Sequence, residues 1–191
     1  MEIIKENELT DEELAKKVQA GETEYFRELM SRYEGKIIRY GRRFLQDAEE
    51  VRDIAQNVFV KVYKNIQSFD TSQRFSPWIY RIAHNESVNT LKRKVREPLG
   101  FFDPEVLFPH PVAAENPEKD AERGELKKIL EECFQDLDDK YREVLALRYF
   151  EDMDYKDIAE VLQVPVVTVG VRLNRGRDRL RQIYERKING V

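Results

Sequence analysis

The sequence predicts an all-α protein made of two small helical domains, and three observations predict it. Charged residues recur every three or four positions between apolar ones through most of the 191 residues, a helical period, and no segment alternates as a half-buried strand does. Charged residues make up 37% and hydrophobic ones 41%, the balance of a soluble globular chain rather than a disordered one. Five of the seven prolines (Pro98, Pro104, Pro109, Pro111 and Pro117) fall within residues 98–120, where a helix cannot persist. Helical sequence therefore lies in two blocks, 1–97 and 121–191, joined by a proline-rich linker at 98–120.

Composition removes several function classes. No apolar run approaches the roughly 18 residues that span a bilayer, and the first residues lack the basic start and apolar middle of a signal peptide, so the expected location is the cytoplasm, without membrane insertion. One cysteine, Cys133, cannot close an internal disulfide, and with His84 and His110 it supplies too few ligands for a Cys/His zinc site. A carboxylate metal site stays open, but nothing points to one, and no cofactor is expected. Nor does an enzyme: no nucleophile–base pair, phosphate-binding glycine loop or metal cluster is visible. Asp138 and Asp139 are sequence neighbours and read as solvated residues at a helix start, not as acid and base.

The formal net charge of −4 is segregated. From Arg74 to Glu97 six basic residues face two acidic ones, and from Pro165 to Ile188 seven face two. Local potential, not the total, governs contact with phosphates, so two cationic islands in an acidic chain point to nucleic acid.

Taken in order, the elements read as follows. A helix from about Asp47 to Ile66 buries Val51, Ile54, Ala55, Val58, Val62 and Ile66 and leaves Glu50, Asp53, Gln56, Asn57, Lys61 and Lys64 outside. The loop "SFDTSQRF" (68–75) leads to "SPWIYRIAHNESVNTLKRK" (76–94), where Ser76 is positioned to cap a helix and Pro77 fits its first turn. Arg81, Asn85, Asn89 and Lys92 then fall along one line of that helix, at steps of four, four and three. The acidic linker holds Phe101, Phe102 and Phe108, read as side chains that pack back onto a domain. Near the C-terminus, "DMDYKDIAEVLQ" (152–163) places Ile158, Ala159 and Leu162 on one face, and "QVPV" is short enough for an abrupt turn. The stretch "VPVVTVGVRLNRGRDRLRQ" (164–182) opens on β-branched residues, but its arginines and Pro165 make it a helix, with the valines expected to be buried at its entry. Val169, Leu173, Gly176, Leu180 and Tyr184 form its inner stripe; Gly170, Val171, Asn174, Arg175 and Asp178 face out. Two helices about a tight turn, the second rich in arginine, constitute a helix-turn-helix.

At these residues a family resemblance emerges. The stretch "LDDKYREVLALRYFEDMDYKDIAEVLQVPVVTVGVRLNRGRDRLR" (137–181) resembles the fourth domain of bacterial sigma factors. Upstream, "DAEEVRDIAQNVFVKVYKNIQSFDTSQRFSPWIYRIAHNESVNTLKR" (47–93) resembles their second domain, and "LAKKVQAGETEYFRELMSRY" extends the likeness to the start. Order, spacing and length are similar to the extracytoplasmic-function (ECF) branch, which has only these two domains. The resemblance implies an initiation factor that binds core RNA polymerase and promoter DNA and is held by an anti-sigma factor, without an obligate homo-oligomer. It assigns Glu50, Asp53, Gln56, Asn57 and Lys61 to the polymerase clamp helices; Asn57 departs from the acidic residue usual there. To the −10 element it assigns Phe69, Arg74, Trp78, Arg81, Asn85, Asn89, Lys92 and Arg93, because a base held outside the stack needs aromatic surfaces and cations. Phe75 and Tyr80 are further aromatics there, several of them bound to be core.

For the −35 element the resemblance leaves Asn174 and Arg175 as readers, with Thr168, Arg172, Arg177 and Arg179 on phosphates. Relatives commonly have glycine at Gln163 and Val167, and a basic then a small polar residue at Gly170 and Val171, so two usual contacts are missing. The expected −35 preference is weaker than the family norm, or different from it. A linker of 23 residues reaches about 71 Å as extended polyproline-like chain. Two promoter elements more than two helical turns apart would be separated by roughly 70 Å, which the extended form spans and a relaxed coil, reaching about 27 Å, does not. The competing reading is a sigma-like interaction protein or DNA-binding regulator that does not initiate transcription.

Overall fold

The structure, a computed structural model, describes residues 9–45, 47–94, 129–130 and 132–189. Every regular element among the described residues is helical. The chain divides into two compact units between Leu99 and Gly100. The expected linker at 98–120, its three phenylalanines and Arg96 lie outside the described residues.

Among the described residues four helices build the first unit: α1 (Asp11–Gln19), α2 (Tyr25–Gly41), α3 (Ala48–Asn65) and α4 (Phe75–Lys94), with a 3-10 turn at Ile66–Ser68. α1 starts at a reciprocal cap, in which the Thr10 hydroxyl accepts from the Glu13 N–H and the Glu13 carboxylate accepts from the Thr10 N–H. It ends where Gly21, at φ 97°, turns the chain in a way side-chain-bearing residues resist. The Asp47 carboxylate accepts from the N–H groups of Glu49 and Glu50 and so starts α3. α3 packs on α2 and α4, and α1 crosses α2 and α4. Val51, Ile54, Ala55, Val58, Val62 and Ile66 are buried as the periodicity predicts, and Phe59 joins them.

α4 departs from the sequence reading at its start. Phe75, not Pro77, opens the helix, so Ser76 lies inside it and its buried hydroxyl has no hydrogen-bond partner. The orphan N–H of Phe75 donates instead to Glu12 Oε1 of α1, at 2.8 Å. A carboxylate from a distant helix thus does what the local serine was expected to do, and its charge suits a helix N-terminus.

In the second unit, helical residues 132–135 precede α5 (Asp139–Tyr149), α6 (Tyr155–Leu162) and α7 (Val166–Asn189). The Arg142 guanidinium donates to the carbonyls of Phe134, Gln135 and Leu137 at 2.7–3.0 Å, satisfying acceptors that a helix end leaves open. α5 carries the core, with Val144, Leu145, Ala146 and Leu147 all buried. α6 begins at a cap formed by Asp154 and ends at Gln163, whose φ of 53° is left-handed. α7 lays Val169, Leu173 and Gly176 against α5 and α6, with Leu180 and Tyr184 half-buried along the same stripe. Gly176 permits this approach: a Cβ there would meet Leu145 Cδ1 at 3.2 Å and Tyr141 Cβ at 3.3 Å.

The valines at the entry of α7 are not buried as a group, contrary to the sequence expectation. Val166 is 43% exposed, Val167 78% and Val171 43%; Val169 alone of the helix's first turns is fully enclosed. The helix enters with only one flank on the core, and β-branching carries no information about which flank a residue occupies.

Candidate nucleic-acid interface

Along α4 the predicted line holds. Asn85, Asn89 and Lys92 are exposed and Arg81 half-buried, all on the side opposite Ile79, Ala83 and Ser87, which are sealed in the core. Arg93 is exposed and braced by its own helix, donating to the Thr90 hydroxyl at 3.1 Å. Arg74 projects from the loop before α4.

Two aromatic expectations need correction. Phe69 and Trp78 are 5% and 9% exposed, tilted against each other at 5.1 Å between centroids; Phe69 meets Phe75 edge-on at 5.3 Å and Trp78 meets it tilted at 5.6 Å. Tyr33 adds an edge-to-face contact to Phe75 at 5.4 Å. Burial of three rings outweighs any single base stack, so these residues form the floor beneath the loop and offer no face to DNA. Tyr80 is also core.

What holds that loop was not read from the sequence. Gln19, the last residue of α1, donates from Nε2 to the carbonyls of Ile66 and Phe69 at 2.6 and 2.8 Å, while Gln67 Nε2 donates to the Gln19 carbonyl at 3.0 Å. Together with Glu12 on Phe75, α1 fastens both ends of the segment between α3 and α4. Within it, the Asp70 carboxylate accepts from the Ser72 N–H at 2.9 Å, which holds that carboxyl below its ordinary range.

On α3, Asp53, Gln56, Asn57 and Lys61 are exposed and Glu50 is half-buried. Lys61 is paired with Glu86 of α4, so its charge is partly neutralised. Beside this face an open groove of about 680 Å³ runs between α2 and α3, lined by Phe26, Met30, Ile38, Phe59, Val60 and Tyr63, with Gln56 on its edge. Periodicity missed the groove because it forms between two helices, each of which looks amphipathic on its own.

The helix-turn-helix is formed by α6, the turn at 163–165 and α7. Asn174, Arg175, Arg177 and Arg179 are exposed, and Thr168 and Arg172 half-buried. Arg177 donates to Asn174 Oδ1, which presets the amide. Arg179 reaches Gln182, and Arg181 pairs with Glu185 at 3.0 Å, so the far end of α7 spends part of its charge on itself.

Comparison with known proteins now decides the family. Residues 29–97 match Sigma-70 region 2 and residues 127–180 match Sigma-70 region 4. The ECF RNA polymerase sigma factor SigW of Bacillus subtilis is 35% identical over 175 residues, 87% of this chain and 92% of that protein. This chain belongs to the ECF sigma factors. The RNA polymerase sigma-H factor of Pseudomonas aeruginosa is 34% identical over 177 residues, covering 88% of this sigma factor and 90% of its relative. Among solved structures, the sigma factor RpoE of Bartonella quintana, bound to the anti-sigma factor NepR, superposes with a TM-score of 0.65. It is 16% identical and covers 84% of this sigma factor and 96% of that chain, a likeness of fold.

Sequence reasoning thus placed the cations of this sigma factor and missed its supports. Gln19 and Glu12 carry no local signal, since each acts on backbone some 50 or more residues away.

Proposed function

We propose that this ECF sigma factor binds core RNA polymerase through the exposed face of α3 and the adjoining α2–α3 groove, opens the −10 element with Arg74 and α4, and anchors upstream through α7. An apolar groove with a polar edge suits one face of an amphipathic helix, which supports assigning it, with Gln56, to the polymerase clamp helices. The observation that carries the −10 assignment is the exposed row of Asn85, Asn89 and Lys92, continued by Arg81, above a loop that α1 fastens at both ends. Amides and cations held on a rigid helix can grip a strand without reorganising, and preorganisation is what strand opening requires. The relative bound to NepR supports an anti-sigma factor as a further partner, and the working location is the cytoplasm. Among the described residues no helix is long and apolar enough to cross a membrane.

Run-off transcription with purified core polymerase and a promoter library tests the proposal. Transcripts that depend on the added chain are expected, and Asn85→Ala is expected to lower open-complex formation about tenfold, the loss of one good base contact. Binding to DNA or to an anti-sigma factor without any transcript would favour the interaction-protein reading instead.

A further inference from the structure

The upstream face of α7 carries apolar side chains where DNA-reading helices usually carry polar ones. Val167 is 78% exposed and Val171, one turn on, 43%; Val166 at 43% and Tyr155 at 41% flank them. Gly170 sits at the centre of this cluster with no side chain of its own, and the Tyr155 ring of α6 lies alongside: a Cβ on Gly170 would be 3.6 Å from Tyr155 Cε2. The outward stripe then continues as Asn174, Arg175 and Asp178. Four exposed apolar groups at one helix entry need an apolar partner, and Arg172, Arg175, Arg177 and Arg179, further along the same helix, fit a polyanion. A duplex supplies both: phosphates at the groove walls, and on the groove floor the C5-methyl of thymine, the one apolar group that a base pair presents in the major groove.

We infer that the tip of α7 reads thymine methyl groups in the upstream element through Val167 and Val171, with Tyr155 packed beside Gly170 to complete the apolar surface. This rests on the proposal that α7 enters the upstream promoter duplex. The polar contacts that Gly170 and Val171 cannot make are replaced by shape and methyl burial, and Asn174 and Arg175 read the next base pairs. Selectivity falls on thymine because cytosine lacks the methyl and presents a donor that valine leaves unsatisfied.

The test uses the full-length chain, alone and assembled with core polymerase. Duplexes with a randomised block one helical turn long are selected for binding, and the recovered sequence is made twice, with thymine and with deoxyuridine in its place. Base pairing is identical in the two; only the methyls differ. Each contacted methyl is expected to contribute about fourfold in affinity, so the uracil duplex binds at least that much more weakly. The doubly substituted Val167→Ser, Val171→Ser chain is expected to bind both duplexes equally. Its exposed positions make it fold as the parent does, which a thermal melt checks. Equal affinity of the parent for the thymine and uracil duplexes overturns the inference while leaving the upstream assignment standing. So does a thymine preference that survives the double substitution. Failure to recover any sequence removes the upstream assignment and the inference together.

Discussion

His84 shows how a single side chain ties the first unit to pH. Its Nδ1 lies 3.0 Å from the Tyr40 hydroxyl and its ring stands edge-on to Phe44 at 5.8 Å, inside the α2–α4 packing. Burial, and then the nearby Lys92 charge, pull its pKa from the ordinary 6.5 down to about 4. Between those values the unfolded chain binds a proton that the folded one does not, so stability is complete above about pH 6.5 and declines as pH falls towards 4. Urea midpoints measured across this window should fall more steeply for the parent than for His84→Phe, which keeps the ring and removes the titration. Parallel slopes would show that the histidine is not the source.

At the scale of elements, the short helix α1 acts as a frame for the loop between α3 and α4. Gln19 satisfies the Ile66 and Phe69 carbonyls, and Glu12 satisfies the Phe75 N–H; losing one such partner leaves backbone groups unpaired at a cost of about 1–3 kcal/mol. If the frame positions the loop for strand opening, Gln19→Ala should lower open-complex formation on duplex promoters by about tenfold. Activity should return on a template already unpaired at the −10 element. A chain that had merely lost stability would be impaired on both templates, and transcript yield from the two templates distinguishes the outcomes. Helix α7 offers the opposite case: its inner stripe follows the 3.6-residue period, yet its first two turns expose three of four valines because α5 and α6 cover only one flank.

Across the whole molecule, charge is distributed by surface and not by total. A chain of net charge −4 concentrates its net positive charge on α4 and α7, while α3 presents a mixed face next to an apolar groove. Long-range repulsion from the acidic remainder limits non-specific binding, and the cationic faces release counterions only where they meet phosphates. Removing one phosphate contact, as in Arg172→Ala, should make the slope of log affinity against log salt less negative by about one, uniformly across sequences. Replacing Arg175, a base reader in this scheme, should instead relax sequence preference; an unchanged preference would move Arg175 to the phosphate group.

The sequence by itself determined the helical class, the inner and outer faces of α3 and α7, and the positions of the cations, because each follows from a period of 3.6 residues or from local charge. Tertiary structure alone decided that Phe69 and Trp78 belong to the core, that Glu12 rather than Ser76 caps α4, that a groove opens between α2 and α3, and that Val166, Val167 and Val171 at the entry of α7 face solvent. The division has one physical cause. Periodicity reports which side of a helix is apolar, whereas burial and capping depend on which other helix arrives there, and that information is spread over residues far apart in the chain.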